Sequence, residues 1–407
     1  MLNHKEVSIL VIVGLLGLAG CGGSKTSPFI LSPNQGTEST SQGEQPVEVI
    51  TLRQIGLLLP LSGPNARQGK AVRDGFMAAL YESNPQHLTV QVFDTAGTPE
   101  KARTAYDTAK AKGVSLIVGP LTKPEGQAIA ALNPTLPVLA LNAFTDKPPG
   151  QILQYALLPE DEIKSLVQYA FAQGYRTIVI VSADNERATR LGKQFKSLWQ
   201  QKGGKILKTE SISAKEKQHR LQLIASAYGY HGTVAPTGTG APEPPEVPAA
   251  PGTLPDAFFV AAGADTVRQL KPLLDFDFKP DTPLLATANV YTGEPNTLKD
   301  QDLNGVVICD MPWSLSESGP IWSLKQETAS LWPKHDVEAP RLFAMGRDAY
   351  LLVSQLVAFT GPESVQLHGL TGQLRLDQNT HQVHRQLSCS RFVNGQPKMV
   401  GTSYGFE

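Results

Sequence analysis

The chain has 407 residues, of which 36 are lysine or arginine and 37 are aspartate or glutamate, so its formal net charge is −1. The two signs are interspersed along the sequence, which argues against the basic surface of a nucleic-acid-binding protein. Hydrophobic residues make up 41% of the chain, and its length is sufficient for two lobes with separate cores.

The N-terminus has the pattern of a signal peptide. The apolar run Ile9 to Ala19 is too short to span a bilayer comfortably but suits the apolar core of a signal peptide. It leads into Leu18-Ala19-Gly20-Cys21, which resembles the lipobox of bacterial lipoproteins, where the cysteine thiol carries a diacylglycerol. We therefore predict cleavage of residues 1–20 and lipidation of Cys21. Gly22 stands where an aspartate would favour retention at the inner membrane, so we expect an outer-membrane anchor facing the periplasm.

The segment after Cys21 has the composition of a tether. Residues 21–50 are rich in Ser, Thr, Gly, Gln and Pro and contain few large apolar side chains. Such a segment cannot bury enough apolar surface to offset the entropy lost on ordering it. We predict a lipidated flexible tether with a relaxed reach of about 30 Å.

From Leu52 onward, short apolar strands alternate with amphipathic helices. The run Ile55 to Leu59 is typical of a strand buried on both faces of a parallel sheet, and a helix bearing Val72, Phe76 and Leu80 on one face follows it. Further strands are predicted at 88–93, 114–118 and 136–141. This spacing predicts right-handed β-α-β units around a parallel sheet.

A second series begins with a helix whose first turn carries Glu160, Asp161 and Glu162, where acidic groups favour the positive end of the helix dipole. Strands are predicted at 177–181, 257–261, 284–286 and 305–309, with helices between them. Residues 231–255 interrupt this series with a stretch rich in Pro, Gly, Ala and Thr, which predicts a disordered insertion. Such an insertion is equally compatible with a functional role and with a surface insertion that the fold tolerates without any function.

The last part of the chain predicts a long helix from Arg341 to Phe359 and a closing β-hairpin formed by 370–376 and 386–393. Two α/β series with a late return predict an α/β fold of two lobes, each a parallel sheet flanked by helices, hinged over a cleft. We assign 51–158 and 310–365 to lobe 1. We assign 159–309 and 366–407 to lobe 2.

Two segments resemble known functional motifs but lack residues that those motifs require. Gly63 to Lys70 resembles a phosphate-binding loop, but five residues separate its glycines, Ala71 follows the lysine, and Pro64 lacks an N–H. The string Gly401 to Gly405 matches a nucleophile elbow, but only two residues remain for the helix, acid and histidine that such a site needs downstream. The histidines show no metal-like spacing. We predict no enzyme activity, no metal and no cofactor.

Three cysteines occur in the sequence. With Cys21 lipidated, Cys309 and Cys389 remain in an oxidising compartment, where they are compatible either with a disulfide or with two buried thiols.

Several segments together resemble one family. The run Ile55 to Pro64 with Gly69 and 72–76 resembles type I periplasmic binding proteins of the leucine-binding kind. The match is narrowed by the segments 94–97, 118–121, 137–142, 158–162, 303–313, 341–350 and 369–372, of which Cys309-Asp310-Met311-Pro312-Trp313 is the most specific. Together they are similar to the penicillin-binding protein activator (LppC/LpoA) family of outer-membrane lipoproteins, over nearly the whole chain from about residue 52.

The resemblance implies a regulator of peptidoglycan synthesis that binds and activates a class A penicillin-binding protein. Long members of the family carry an N-terminal helical-repeat domain, whereas here the tether precedes Leu52.

The alternative hypothesis is a solute receptor of an ABC importer, with a small polar, amino-acid-like ligand in the cleft. In type I binding proteins the cleft is edged by loops at the carboxyl ends of the strands. The matching positions, each of which also fits a helix cap, a turn or packing, are Ser62, Thr122, Asn142, Asn289, Tyr291 and Asp310.

Overall fold

The computed structural model describes residues 54–83, 85, 88–213, 254–277, 283–294, 296–331, 339–356 and 366–400. The predicted signal peptide, the lipidated Cys21 and the tether lie outside the described residues. The same holds for the predicted insertion 231–255, apart from its last two residues, and for Gly401 to Gly405.

The first sheet is built mainly from the N-terminal half of the described chain. It contains β1 (Gln54–Leu59), β2 (Thr89–Asp94), β3 (Leu116–Val118), β4 (Val138–Ala140) and β5 (Ile152–Tyr155). These strands run parallel in the order β2-β1-β3-β4-β5. They are connected through α1 (Ala66–Ser83), α2 (Pro99–Ala111) and α3 (Lys123–Ala130). The inner strands are almost wholly buried, as expected for a parallel sheet covered on both faces.

The second sheet follows the same plan. It contains β6 (Thr177–Ala183), β7 (Lys205–Ile212), β8 (Ala257–Ala261), β9 (Leu284–Ala286) and β10 (Val306–Asp310). These strands are parallel in the order β7-β6-β8-β9-β10. In the described part of this lobe the helices are α4 (Pro159–Ala172), α5 (Glu186–Gln201) and α6 (Ala264–Asp277), with short 3₁₀ turns at Ala288–Val290 and Asp300–Leu303. The predicted two-lobed α/β fold is confirmed.

The C-terminal part contributes to both sheets. After β10 come α7 (Pro312–Leu315), α8 (Gly319–Leu331) and α9 (Pro340–Leu356). The strands β11 (Gln366–Gly369), β12 (Gly372–Asp377) and β13 (Gln382–Gln386) extend the first sheet from β5, and β14 (Ser388–Val393) and β15 (Gln396–Met399) extend the second from β10.

The assignment of all of 366–407 to lobe 2 is therefore wrong for 366–386. β13 pairs in parallel with β5, where Gln382 lies opposite Gln154 and Val383 opposite Tyr155. The chain enters the second sheet only at Ser388, which lies opposite Asp310. The assignment of Asp310 to lobe 1 is also wrong, because Asp310 is the last residue of β10 in the second sheet.

The predicted hairpin between 370–376 and 386–393 is also wrong. β12 instead forms its hairpin with β13, because residues 378–381 make a tight turn in which His381 takes a left-handed φ of +53°. β14 pairs antiparallel with β10 on one side and with β15 on the other.

Within the described ranges, three chain segments cross between the lobes. They run from β5 to α4, from β10 to α7 and from β13 to β14. Directly beside two of these crossings, Cys309 of β10 lies opposite Cys389 of β14 with a Cα–Cα distance of 4.0 Å, and the structure joins their sulfur atoms in a disulfide. Of the two alternatives left open by the sequence, the structure has the bonded one.

Helices α1 and α9 approach each other at two glycines. A Cβ placed on Gly75 of α1 would lie 1.9 Å from the carbonyl oxygen of Phe343, and one on Gly346 of α9 would lie 2.1 Å from that of Val72. Each glycine therefore lets the other helix's backbone come closer than any side chain would allow. The pair fixes α9 against the first lobe, although α9 lies after β10 of the second lobe in the chain.

Replacing Gly75 with alanine should destabilise the protein by about 1–3 kcal/mol, because the methyl group must push the Phe343 carbonyl away. Lys70→Ala, on the exposed side of the same helix, is the matched control and should change stability by less than about 0.5 kcal/mol. Urea unfolding at equilibrium measures both. Equal stability of the two variants would contradict the close packing of α1 on α9.

Candidate functional site

The three crossings meet at a cavity between the lobes. Leu157, Leu158 and Pro159 come from the first crossing, Asp310 and Met311 from the second, and Arg385 and Leu387 from the third. The cavity has a volume of about 180 Å³. A second cavity of about 450 Å³ lies on the lobe 1 side, and the two have Leu157, Leu158 and Pro159 in common. Together they form the cleft.

An ion pair between Arg341 and Asp310 spans the cleft. Asp310 is the last residue of β10 and is buried, whereas Arg341 lies in the first turn of α9. The Arg341 Nε lies 3.1 Å from Oδ2 of Asp310, and Nη2 donates to the same oxygen. The guanidinium also donates to the carbonyls of Tyr291 at 3.1 Å and Thr292 at 3.3 Å. One side chain from lobe 1 thus binds three oxygen-bearing groups of lobe 2.

A second ion pair lies at the third crossing. Nε of Arg385, on β13, lies 3.3 Å from Oδ2 of Asp161 in the first turn of α4, and its Nη2 donates to the carbonyl of Leu158 at 3.1 Å. Both side chains are about 95% buried. Like Arg341, Arg385 connects a lobe 1 element to lobe 2.

Glu162 lies between these pairs, on the first turn of α4. It is 6% exposed and lines the first cavity. One oxygen, Oε1, accepts from the backbone N–H of Ala288. Burial raises the pKa of Glu162 to about 8, and the negative charge of Asp310 adds to this shift, whereas Arg187 and Arg341 oppose it. In the folded protein this carboxyl is therefore largely protonated at neutral pH.

The second cavity has a different chemical character. Its polar wall carries Asn65, Gln68, Thr122, Lys123 and Asn142, and its apolar wall is made by leucines and Met345. Thr122 caps α3 in a capping box, in which its side chain accepts from the backbone N–H of Glu125 and its own N–H donates to Oε2 of Glu125 at 3.0 Å. Asn142 donates from Nδ2 to the Leu121 carbonyl at 3.0 Å.

The structure brings together four of the six residues predicted for the cleft. Asn289 and Asp310 line the first cavity, and Thr122 and Asn142 line the second. Ser62 lines neither and instead donates its backbone N–H to Asp94 at 3.2 Å. Tyr291 is buried, and its ring packs edge-on against Phe392 with centroids 5.6 Å apart. It braces the wall of lobe 2, which is the packing role that the sequence leaves open.

The sequence does not identify the charged residues Glu162, Arg187, Arg341 and Arg385, which line the first cavity. It presents Glu162 as a helix-dipole group, and the two arginines at 341 and 385 lie beside crossings whose positions it does not predict. A usable signal does exist. The triplet Glu160-Asp161-Glu162 directly follows Leu158-Pro159, which is where the chain leaves the first sheet.

The described residues meet the requirements of neither a metal site nor a membrane-spanning helix. Across them, no three His, Cys, Asp or Glu side chains are arranged to hold a metal ion. The helices placed there include none with the length and apolar character required to cross a membrane.

Comparison with known proteins gives a consistent result. The sequence model of the family described as "LppC putative lipoprotein" matches residues 45–395. The penicillin-binding protein activator LpoA of Photobacterium profundum is 28% identical over 359 residues, covering 86% of this chain and 57% of that relative. The chain therefore spans just over half the length of this curated relative.

Solved structures agree. The C-domain of LpoA (YraM) from Haemophilus influenzae, described as a regulator of PBP1A, is 26% identical, with a TM-score of 0.65, covering 86% of this chain and 100% of that domain. An ABC transporter substrate-binding protein from Sphaerobacter thermophilus shares the fold at 18% identity, with a TM-score of 0.56, covering 86% of this chain and 96% of that one.

The Asp310–Arg341 pair should behave as a coupled unit. Arg341→Met leaves a buried carboxylate unpaired and should destabilise the protein by about 2–4 kcal/mol. Combining it with Asp310→Asn should recover part of this loss, so the double variant should be more stable than the sum of the two single effects predicts. Urea unfolding of the four proteins of the cycle measures the coupling. Strict additivity would show that the pair does not hold the lobes together.

The raised pKa of Glu162 predicts a pH effect on stability. A carboxyl with a folded-state pKa of about 8 and an unfolded value of 4.5 favours folding fully below pH 4.5, and this contribution is lost as the pH rises towards 8. Relative to wild type, Glu162→Gln should therefore gain stability between about pH 5 and pH 8, by at most about 5 kcal/mol. Thermal unfolding across this range measures the difference, which would stay constant if Glu162 titrated normally.

Proposed function

The chain belongs to the LppC lipoprotein family, and from this membership we propose that it binds and activates a class A penicillin-binding protein, and so regulates peptidoglycan synthesis. The observation that carries the proposal is the match to the LpoA C-domain described as a regulator of PBP1A, because this chain covers the whole of that domain. The curated relatives carry the name of activators, not of enzymes.

We further propose that the protein is anchored in the outer membrane through lipid on Cys21 and faces the periplasm. The apolar run before Leu18-Ala19-Gly20-Cys21, Gly22 at the next position and membership of a lipoprotein family support this proposal. Several acyl chains on one cysteine give stable anchoring, since each buried CH₂ contributes about 0.8 kcal/mol.

The rival function, a solute receptor for an importer, has less support. The substrate-binding protein from Sphaerobacter thermophilus shares the fold at 18% identity, whereas the activator relatives reach 28% over most of the chain. A shared two-lobed fold by itself does not specify transport, because one fold hosts many functions.

Adding the purified full chain, in detergent micelles, to a class A synthase from the same genome and its lipid-linked substrate should raise peptide cross-linking several-fold. Cross-linked muropeptides are quantified after digestion of the product. A type I substrate-binding protein from outside the family, at the same concentration, controls for non-specific effects of a protein of this fold. Unchanged cross-linking at saturating chain would reject the activator function.

A further inference from the structure

The first cavity is lined by one acidic side chain, Glu162, that forms no ion pair with any described residue. Oε1 of Glu162 accepts from Ala288, but Oε2 accepts no hydrogen bond from any described residue, and the carboxyl forms no ion pair with them. Oε2 is also absent from the enclosed atoms that lack a partner, so it faces the space of the cavity. Buried charged groups in proteins are normally paired. Glu162 is therefore positioned to bind something that is not part of the described chain.

Two of the three arginines that line this cavity are already paired. Arg341 is bound to Asp310 and to two carbonyls of lobe 2. Arg385 is bound to Asp161 and Leu158. Each pair is electrically neutral, so the charged groups of the cavity wall that remain outside these two pairs are Glu162 and Arg187. Arg187 is exposed and lines the cavity, and it makes no hydrogen bond or ion pair within the described ranges.

We propose that this cavity binds a small organic cation, whose ammonium group donates to the free oxygen of Glu162. The same walls include apolar side chains from the crossings, Leu157, Leu158, Met311 and Leu387, which suit a short hydrocarbon attached to the ammonium group. Because the second cavity shares Leu157, Leu158 and Pro159, a longer ligand would extend past this shared wall towards Asn142 and Lys123. The proposal does not depend on the activator function, since it concerns binding by the chain alone.

Three isosteric probes separate charge from shape. Butylammonium carries the required group, 1-butanol has the same length without charge, and butyrate has the opposite charge. Saturable binding to the full chain in detergent is followed by calorimetry and by protein NMR at millimolar probe. Butylammonium should bind, and the alcohol and butyrate should bind at least about tenfold more weakly, as expected for a charge-assisted hydrogen bond.

Binding should also release a proton. Glu162 faces Asp310 from β10, Arg341 from α9, Arg187 from α5 and the Ala288 N–H, and in the empty cavity it is largely protonated below pH 8. An ammonium group stabilises the carboxylate, so its arrival near neutral pH should expel the proton. Calorimetry in two buffers of different ionisation enthalpy detects this release.

Glu162→Gln keeps the acceptor for Ala288 and the shape of the side chain but cannot ionise. This variant should lose butylammonium binding by about tenfold or more and should release no proton. Glu210→Gln is the matched control, because Glu210 is similarly buried but lies on β7 outside the cavity, and this variant should bind like wild type. Equal binding of butylammonium and butanol, absence of any saturable binding, or unchanged binding by Glu162→Gln would each overturn the proposal.

Discussion

The two lobes meet over buried acidic side chains, and a carboxylate that stays ionised there must be compensated from within the protein because little water reaches it. Asp310 is compensated by Arg341 and Asp161 by Arg385. Asp348 of α9 accepts from the N–H groups of Leu370 and Thr371 at 2.7 Å and from the Thr371 hydroxyl at 2.6 Å. These ion pairs and hydrogen bonds connect chain segments that are far apart in the sequence. They explain why the segments after residue 310 return to the cleft.

The same requirement determines which lobe each late segment joins. Asp348 holds the turn between β11 and β12 against α9, and the Tyr155 hydroxyl at the end of β5 lies 2.6 Å from that of Thr371. This places β11 to β13 at the edge of the first sheet. The disulfide between Cys309 and Cys389 then fixes the next strand, β14, beside β10 of the second sheet. The chain between them passes through lobe 1, so the loop closed by this cross-link leaves lobe 2 after β10, passes through lobe 1 and returns to lobe 2 at β14.

The alternation of apolar strands and amphipathic helices predicts the fold because each parallel strand carries its own signal. The apolar composition of Ile55–Leu59 alone predicts that this strand is buried. The C-terminal strands carry no such signal, since β11 to β13 mix polar and apolar residues and their sheet is decided by partners distant in sequence. The sequence also does not predict the strand β5, for a related reason. It has four residues, of which Gln154 is buried because its side chain bonds to the Phe144 and Thr145 backbone.

The candidate site is predictable only where a residue follows its own strand. Thr122, Asn142 and Asp310 lie near the carboxyl ends of predicted strands, and position alone brings them to the cleft. Arg341 and Arg385 reach it from α9 and β13, which no local pattern places there. Glu162 is visible in the sequence, but as one of three consecutive acids it gives no indication that Glu160 pairs with Arg190, Asp161 with Arg385, and Glu162 with no cation in the described chain. That distinction depends on the tertiary structure.

Both lobes contribute side chains to the cavity around Glu162. Glu162 belongs to lobe 2, whereas the walls around it include Arg341 and the first crossing from lobe 1. A ligand bound in this cavity would contact both lobes. It would shift the equilibrium between two arrangements of the lobes only if it bound one arrangement more tightly than the other. Arg341 makes the contacts that depend most on this position, because its four acceptor atoms all belong to lobe 2 while α9 is fixed to α1 through Gly75 and Gly346. The relative position of the two lobes at the cleft is therefore held by Arg341 together with the Arg385–Asp161 pair.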